Sequence, residues 1–322
     1  MFKLMAVLIG VLLALPVQHA QAQGYPSEPI RIVVPFAPGG NVDVTARLVA
    51  PVMSEILGQP VIVENRPGAG GMVGTGAAIG AKPDGHTLLM GSSGTLTVGP
   101  NLFPNWPHDP VKGIAPISNI QFAPLVLIVK ADSPLRSVQD VVRLAGEKPG
   151  EISAAGAGIG TANHLAAELF QMSTGTKLLL VQYRGAAPAM NDLLAGHVQL
   201  FFDQASTTVP QVRGGTVRAL AVTSASRWPT LPDTPTFTEL GFDKLQIRNV
   251  CGLVGPAGLD PGIVEKLRDA TVRALANPAV REGFEKLGVE IDGSDPQAFA
   301  AFIQEDLARW ARVVAEGNIK MK

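Results

Sequence analysis

The stretch IRIVVPFAPGGNVDVTARL, residues 30–48, joins an apolar β-branched run to a helical pattern through a turn rich in proline and glycine. The run predicts a buried strand over residues 30–36, since unbroken β-branched segments favour strands covered on both faces. After the turn Pro38-Gly39-Gly40-Asn41, a helix is predicted over residues 42–57 with Asn41 as its N-cap. The free amides of such a first helical turn can bind an anion at the carboxyl edge of the sheet. The loop alone is equally consistent with a purely structural cap.

The same alternation of strands and helices continues along the chain. Further strands are predicted at residues 61–64, 87–91, 151–155, 177–183, 199–203 and 217–223, and further helices at 161–172 and 186–195. This pattern is typical of an α/β fold with mainly parallel sheets flanked by helices. Two long extended stretches, residues 114–130 and 242–258, interrupt the alternation. If both stretches cross between sheets, they join two lobes around a cleft.

These crossings set the predicted domain boundaries. Lobe 1 is expected to hold residues 23–125 and 246–322, and lobe 2 residues 126–245. Three helices are predicted after the return to lobe 1, at residues 261–276, 278–287 and 296–316, and each begins at a proline. Proline is favoured at the first helical position because its missing N–H would have no partner there.

The first 22 residues are predicted to be a signal peptide, so the mature chain would start at Gln23 in the periplasm. Lys3 precedes an apolar run over residues 4–17, and Ala20-Gln21-Ala22 fits the cleavage rule. Without Lys3, the formal net charge changes from −1 to about −2, which gives no electrostatic case for nucleic acid or an anionic membrane. Cys251 is the only cysteine, which excludes an internal disulfide and a cysteine-based zinc cluster.

Several polar or glycine-rich loops follow the ends of predicted strands. Besides the loop at residues 36–43, they are GSSGT (91–95), GAGIGTANH (156–164), YRGAAP (183–188) and FDQAS (202–206). Loops that converge at one edge of an α/β sheet form its usual small-molecule crevice. Their amides and hydroxyls make a donor-rich lining, so a small carboxylate is the expected guest, and no cofactor or metal is expected.

Enzyme motifs are incomplete in these loops. GAGIG resembles a dinucleotide fingerprint, but Thr161 replaces its third glycine. GSSGT approaches a nucleophile elbow, but Thr95 replaces the last glycine. RPGAGGMVGTGAAIG (66–80) lacks the ending of a phosphate loop and instead predicts a helix packed closely on the sheet. An exported serine hydrolase using Ser93, with His86, His164 or His197 as base, is kept as an alternative.

Seven ordered blocks carry a resemblance over essentially the whole mature chain. They are YPSEPIRIVVPFAPGGNVD, GQPVIVENRPGAGG, KPDGHTLLMGSSG, GTANHLAAELF, YRGAAPAMNDLLAGHVQLFFD, RALAVTSASRWPTLPDTPTFTELGF and GPAG. The chain resembles the Bug family, the periplasmic solute-binding receptors of tripartite tricarboxylate transporters. The resemblance implies a two-lobed, Venus-flytrap receptor without enzymatic activity. It would act as a monomer that hands a small carboxylate, often a dicarboxylate, to a membrane permease. A carboxylate sensor signalling to a membrane kinase is a second alternative.

The resemblance also implies which loops contact the ligand. The expected contacts from lobe 1 are Phe36, Gly39, Gly40, Asn41, Asp43, Ser92, Ser93 and Gly94, and those from lobe 2 are Gly158, Gly160, Thr161, His164, Gly185, Ala186 and Asp203. The carboxylates of Asp43 and Asp203 could equally serve only to stabilise their helices. The chain departs from the family pattern at His86, at Val181-Gln182 and at Asn249-Val250-Cys251, so ligand identity does not carry over.

Overall fold

The computed structural model describes residues 24–316 and residue 319; the predicted signal peptide lies outside the described residues. The strands are β1 (Ile30–Val34), β2 (Val61–Asn65), β3 (Thr87–Ser92), β4 (Ile114–Lys130), β5 (Ser153–Gly156), β6 (Leu179–Gln182), β7 (Leu200–Gln204), β8 (Val217–Val222), β9 (Arg248–Pro256) and β10 (Glu290–Ile291). The helices are α1 (Asn41–Leu57), α2 (Met72–Ile79), α3 (Gly99–Leu102), α4 (Val138–Glu147), α5 (Ala162–Thr174), α6 (Ala186–Ala195), α7 (Ala205–Arg213), α8 (Pro261–Ala276), α9 (Pro278–Leu287) and α10 (Pro296–Glu316).

Strand β4 is shared by the two halves of the sheet system. The strand order is β2-β1-β3-β9-β4-β7-β5-β6, with β10 and β8 also paired to β4. Residues 114–124 of β4 pair with β9, whereas residues 125–130 pair with β7 and β8. We use the name lobe 1 for the part built on β1–β3, β9 and the first part of β4, and lobe 2 for the part built on β5–β8 and the rest of β4.

The direction of pairing differs between the outer strands and the shared ones. The pairs β1–β2, β1–β3, β5–β6 and β5–β7 are parallel, as β-α alternation predicts. The antiparallel pairs all involve β4 or β9, the two extended stretches that broke the alternation. Because β9 runs antiparallel to β3, its first residues lie at the same edge as the carboxyl end of β3.

Helix α1 shows how the lobe 1 core forms. Its buried residues Val42, Ala46, Val49 and Met53 recur every three or four positions, which places them on one helical face. They pack with Ile32 and other apolar residues of the sheet in one cluster. Burial of each large side chain of this kind contributes about 1.5–3 kcal/mol, so the helix start is held firmly at the edge of the sheet.

Helix α10 contacts the apolar cores of both lobes. Phe299 and Ile303 pack in a cluster with Val33 and Leu89 of lobe 1. Nearer the C-terminal end of the helix, Trp310 packs in the cluster that contains Leu127 of lobe 2. The last turns of α10 therefore lie against lobe 2, although the predicted boundaries assign residues 246–322 to lobe 1.

Most predicted elements lie where the sequence places them. The ranges of β4, α6, α8, α9 and α10 are confirmed. The close packing predicted for residues 66–80 is also confirmed, since a Cβ on Gly74 of α2 would lie 2.7 Å from the Pro35 Cα. The predicted N-cap was wrong: Gly40 is the N-cap and Asn41 is the first helical residue. Within residues 24–316, no helix combines the length and apolar character needed to cross a membrane.

Candidate functional site

A cavity of about 30 Å³, which we call the inner cavity, lies between the carboxyl edges of the two lobes. Its lobe 1 lining follows β1 and β3 and includes the start of β9, whereas its lobe 2 lining follows β5, β6 and β7. The lining residues are Phe36, Gly40, Asn41, Val42, Ser92 and Asn249 from lobe 1 and Ala157, Thr161, Ala162, Asn163, Gly185, Ala186 and Gln204 from lobe 2.

Four helices begin at this cavity. Helices α1, α6 and α7 have Gly40, Gly185 and Gln204 as N-caps, and none of these side chains caps its helix. Only α5 is capped, because the hydroxyl of Thr161 accepts from the His164 amide. First-turn amides without internal partners and the positive ends of helix dipoles favour a negatively charged group. The lining is therefore electrostatically suited to an anion.

Two buried side-chain donors at the cavity have no partner. Asn41 and Asn249 are 2% and 1% exposed, and the Nδ2 of each makes no hydrogen bond. The oxygen of the Asn41 amide fixes the orientation of the side chain, because Oδ1 accepts from Gln121 Nε2 at 2.8 Å and from Ser206 Oγ at 2.6 Å. An unsatisfied buried donor costs about 1–3 kcal/mol, so a ligand oxygen that accepts from these amides would relieve that cost.

The two lobes touch around the cavity, so the structure shows a closed arrangement. The Ser206 hydroxyl of α7 donates to Asn41 of α1 across the cleft. The Ala37 amide donates to the Arg184 carbonyl at 3.4 Å. A Cβ placed on Gly40 would lie 3.7 Å from the Ala186 Cβ. Little room is left for side-chain atoms between these two loops.

A second cavity of about 240 Å³, the outer cavity, adjoins the inner one and shares Phe36 and Ala157 with it. Its other lining residues are Gly68, Ala69, Gly70, Gly71, Phe103, Gly158, Ile159, Gln182, Tyr183 and Arg184. The Tyr183 hydroxyl donates to Asp192 at 2.6 Å, and burial together with that bond raises its pKa to about 12. Arg184 is exposed, and it supplies a cation at this cavity.

About half of the residues predicted for the site line these cavities. Phe36, Gly40, Asn41, Ser92, Thr161, Gly185 and Ala186 line the inner cavity, and Phe36 and Gly158 line the outer one. The predicted residues that line neither cavity are Gly39, Asp43, Ser93, Gly94, Gly160, His164 and Asp203. Two of them lie where the lobes meet, since a Cβ on Gly39 would lie 3.3 Å from the Ala187 Cβ and a Cβ on Gly94 would lie 3.3 Å from the Thr161 Cα.

Asp43 stabilises the loop that follows β1 through hydrogen bonds within lobe 1. Its carboxylate accepts from the Gly39 amide at 2.8 Å and from Asn65 Nδ2 at 2.9 Å, and it pairs with Arg47 at 3.0 Å. Burial opposes ionisation of Asp43, but the hydrogen bonds from Arg47, Gly39 and Asn65 outweigh it and lower the pKa. The charge of Asp43 is thus compensated within lobe 1, and it does not oppose an anion in the cavity.

Asp203 lies on the opposite face of β7 from its neighbour Gln204. Asp203 is fully buried, and one carboxylate oxygen accepts from the hydroxyls of Thr207 and Thr208. Its other oxygen has no partner, and burial raises its pKa to about 7. Because strand side chains alternate between faces, Gln204 lines the cavity instead, where its Nε2 donates to Asn163 at 2.9 Å.

The geometry around Ser93 does not support a serine nucleophile. Its hydroxyl accepts from the Val250 amide at 3.1 Å, and it forms no hydrogen bond to a histidine among the described residues. His164 accepts from the Gly160 amide at 3.4 Å, and its Nε2 lies 3.6 Å from Glu168. A general base must reach its nucleophile within hydrogen-bond distance, so the pair of Ser93 and a histidine base is not assembled in this structure.

Among the described residues, neither Cys251 nor an acidic side chain lines the inner cavity. Cys251 is buried, and burial raises the pKa of its thiol to about 12, which makes it a poor nucleophile. In the part of the chain that the structure describes, no three histidine, cysteine, aspartate or glutamate side chains group in a way that could hold a metal ion.

Sequence reasoning missed several lining residues, namely Val42, Ala157, Ala162, Asn163, Gln204 and Asn249. Asn249 could have been identified from the sequence, because it lies in the extended stretch 242–258 at a position where the chain departs from the family pattern. Gln204 and Asn163 could not have been, since only their packing decides that they face the cavity rather than the core.

Comparison with known proteins agrees with this arrangement. The profile of the family described as tripartite tricarboxylate transporter family receptor matches residues 45–319. Protein BugT of Bordetella pertussis is 37% identical over 325 residues, which cover 100% of this chain and 99% of BugT. The structure of periplasmic binding protein BugD is 36% identical with a TM-score of 0.89, over 92% of this chain and 100% of BugD.

Two similar structures contain a ligand. MatC from Rhodopseudomonas palustris with bound malate is 32% identical with a TM-score of 0.87, over 90% of this chain and 100% of that one. Another R. palustris protein, solved with adipate, is 30% identical with a TM-score of 0.88, over 92% of this chain and 99% of that one. The architecture is thus the periplasmic-binding-protein fold, and the resemblance to the Bug family is confirmed. The chain belongs to the family of tripartite tricarboxylate transporter receptors.

Proposed function

We propose that this chain is an extracytoplasmic receptor that binds a small carboxylate between its lobes and delivers it to a membrane permease. The two buried, unpaired amide donors of Asn41 and Asn249 carry the proposal, because both residues line a cavity at which four helices begin. No carboxylate side chain lines that cavity among the described residues. An anionic acceptor is the group that such a lining satisfies best.

The cavity sizes point to the class of ligand. A water molecule needs roughly 10–15 Å³ of such space, so the 30 Å³ of the inner cavity suits one carboxylate group and little more. The rest of the ligand would extend into the outer cavity of about 240 Å³, where Arg184 can meet a second negative group. Relatives solved with malate and with adipate support a dicarboxylate.

Binding and closure are coupled in this proposal. The carboxylate gains donors from α1 and β9 in lobe 1 and from α5 and α6 in lobe 2 only when the lobes are together. A ligand with higher affinity for the closed state shifts the population toward it by that difference. A permease could then recognise the closed receptor by the surface that the two lobes form jointly.

We infer the cellular location and the partners of the chain from its family and from the predicted signal peptide. The predicted signal peptide with cleavage after Ala22 would place the mature chain in the periplasm, and the similar BugD is a periplasmic binding protein. We propose that the receptor acts there as a monomer and without enzymatic activity. Uptake through a tripartite transporter is the favoured outcome of capture.

Isothermal titration of the purified protein with malate, adipate and citrate, and with acetate as a one-carboxylate control, tests the function. We expect saturable binding of at least one dicarboxylate with a raised thermal midpoint, because a ligand that binds only the folded state stabilises it. Acetate should bind more weakly, since it cannot reach the outer cavity. Absence of heat and of a thermal shift with every acid would argue against a carboxylate receptor.

Replacement of Asn249 tests the donor directly. We expect Asn249→Ala to weaken binding of the identified acid about tenfold, in line with loss of one hydrogen bond to a charged group. The equally sized Asn249→Asp should weaken it further, because it places a negative charge against the ligand. The free Asn249→Ala protein should have a thermal midpoint at least as high as that of the unsubstituted protein, since the removed buried amide had no partner. Unchanged affinity in both variants would exclude Asn249 from the site.

A further inference from the structure

The outer cavity contains a buried polar atom that the binding of two carboxylates does not use, the side-chain oxygen of Gln182. Gln182 is the last residue of β6, and it lines this cavity. Its Oε1 is buried and accepts no hydrogen bond from the described residues. A buried carbonyl oxygen without a donor is unfavourable, so a ligand group that donates to it would be stabilised there.

Gly156 makes room for the Gln182 amide. The two residues are paired neighbours on the parallel strands β5 and β6, so their side-chain positions lie on the same face of the sheet. A Cβ on Gly156 would lie 2.7 Å from both the Cδ and the Nε2 of Gln182, so the amide lies against the bare backbone of β5. This contact positions the amide without using the Oε1 acceptor, which is left for a ligand.

The charges at the outer cavity favour a neutral donor over an ammonium group. Arg184 is exposed at this cavity and supplies a positive charge, whereas no carboxylate side chain lines it within residues 24–316. Asp192 does not line the cavity, and its carboxylate accepts from the Tyr183 hydroxyl at 2.6 Å. An ammonium group would therefore meet a cation without a carboxylate beside it. A hydroxyl group is neutral, and because it also accepts, it can bond to either end of the Gln182 amide.

We propose that Gln182 is a specificity-determining residue of the cleft and that it selects a dicarboxylate with a hydroxyl group between its two acidic ends. This inference rests on the proposed function and adds the class of acid. One carboxylate would occupy the inner cavity, the hydroxyl would donate to Gln182 Oε1, and the second carboxylate would meet Arg184. An acid without the hydroxyl would leave the Gln182 oxygen buried without a donor, which is how a hydrogen-bonding site rejects such an analogue.

Matched acids test the preference in the intact protein. Glutarate and 3-hydroxyglutarate differ only by a hydroxyl on the central carbon, and succinate and malate differ by a hydroxyl in the same way. By isothermal titration, we expect the hydroxylated acid to bind about tenfold or more tightly in at least one of the two pairs. Equal affinities within both pairs would overturn the selection of a hydroxyl.

Aspartate tests the charge of the donor, because it carries an ammonium group where malate carries the hydroxyl. We expect aspartate to bind more weakly than malate, since the ammonium group would be placed near Arg184 without a compensating carboxylate. Binding of aspartate as tight as that of malate would overturn the assignment of a neutral donor.

Replacement of Gln182 locates the preference. Gln182→Leu has a similar size and no polar group, so it should abolish the preference by weakening the hydroxylated acid, while the acid without a hydroxyl should bind at least as tightly as before. Gln297→Leu is the matched control and should retain the preference, because Gln297 is exposed and lines neither the inner nor the outer cavity. A merely structural role would weaken both acids of a pair equally. A preference retained in Gln182→Leu would overturn the assignment.

The results distinguish failure of this inference from failure of the proposed function. If the dicarboxylates bind but neither pair shows a difference, the receptor function stands and the role of Gln182 is overturned. If none of the acids binds to the folded protein, both proposals are overturned. Free Gln182→Leu should have a thermal midpoint at least as high as that of the unsubstituted protein, since the removed oxygen had no partner. Loss of the preference in a variant with that midpoint cannot be attributed to misfolding.

Discussion

Gly40→Val is expected to lower affinity for the cleft ligand at least about 100-fold while the protein stays folded. Gly40 has φ −84° and ψ 170°, an extended conformation that any residue adopts. A Cβ at this position would lie 3.7 Å from the Ala186 Cβ and 3.8 Å from the Ala186 nitrogen of the other lobe. The two further methyl groups of valine would occupy the space where the loops meet, so the closed state would lose both its contacts and its anion-binding amides.

Titration of the variant with the acid identified for the unsubstituted protein measures this effect. Gly146→Val is a matched control, because a Cβ on Gly146 would meet nothing within 4 Å. Gly40→Ala should retain much of the affinity, since its Cβ makes only ordinary contacts. A thermal midpoint near that of the unsubstituted protein shows that Gly40→Val folds. If Gly40→Val bound as tightly as Gly146→Val, the inner cavity would not be the carboxylate site.

Much of the fold could be read from the sequence because local signals agreed with tertiary packing. Helices α8, α9 and α10 begin at Pro261, Pro278 and Pro296, as predicted, and proline marks helix starts through its fixed φ and missing N–H. Strand β4 is a long apolar run, and it is buried along almost all of its length. Helix α4 was missed, although Ser137 caps it by accepting from the Asp140 amide.

The site was predictable only to the level of loops. Parallel strands place their carboxyl ends at one edge, so the loops after β1, β3, β5, β6 and β7 could be assigned together. Which residue of a loop faces the ligand depends on contacts between distant parts of the chain. Ser206 donates to Asn41 Oδ1 across 165 positions of sequence, and this bond fixes the orientation of the Asn41 side chain. No local pattern encodes such a contact.

Whether Asp203 or Gln204 faces the cleft also depends on contacts between distant parts of the chain. Both residues are buried at the end of β7, and a strand position does not reveal which face meets the cleft unless the partner helices are known. Asp203 was predicted as a contact because the family resemblance implied it, although its position was equally consistent with stabilising the following helix. The structure instead buries it against α7, where its charge is an energetic cost rather than a binding group.

Asp203→Asn is therefore expected to abolish the decrease in the free energy of unfolding that the unsubstituted protein undergoes as pH rises. The folded-state pKa of Asp203 is raised from 3.8 to about 7 by burial, so the folded protein holds this proton more tightly than the unfolded chain. The stabilising contribution is complete below the unfolded pKa and is lost as pH rises through about 7. Ionisation would cost the unsubstituted protein up to about 4 kcal/mol at pH 8.5. Asparagine has the same shape and cannot ionise.

Urea unfolding of both proteins between pH 5 and pH 8.5 measures this difference. The stability advantage of the variant should grow by up to about 3 kcal/mol between pH 5 and pH 8.5, because the folded protein keeps the Asp203 proton up to about pH 7 whereas the unfolded chain has already lost it at pH 5. Asp192→Asn is the control, because hydrogen bonds from Tyr183 and His197 lower the pKa of Asp192. The stability that the Asp192 carboxylate contributes is therefore lost as pH falls, whereas the stability that Asp203 contributes is lost as pH rises. A pH profile that Asp203→Asn leaves unchanged would show that water or structural relaxation solvates the Asp203 carboxylate.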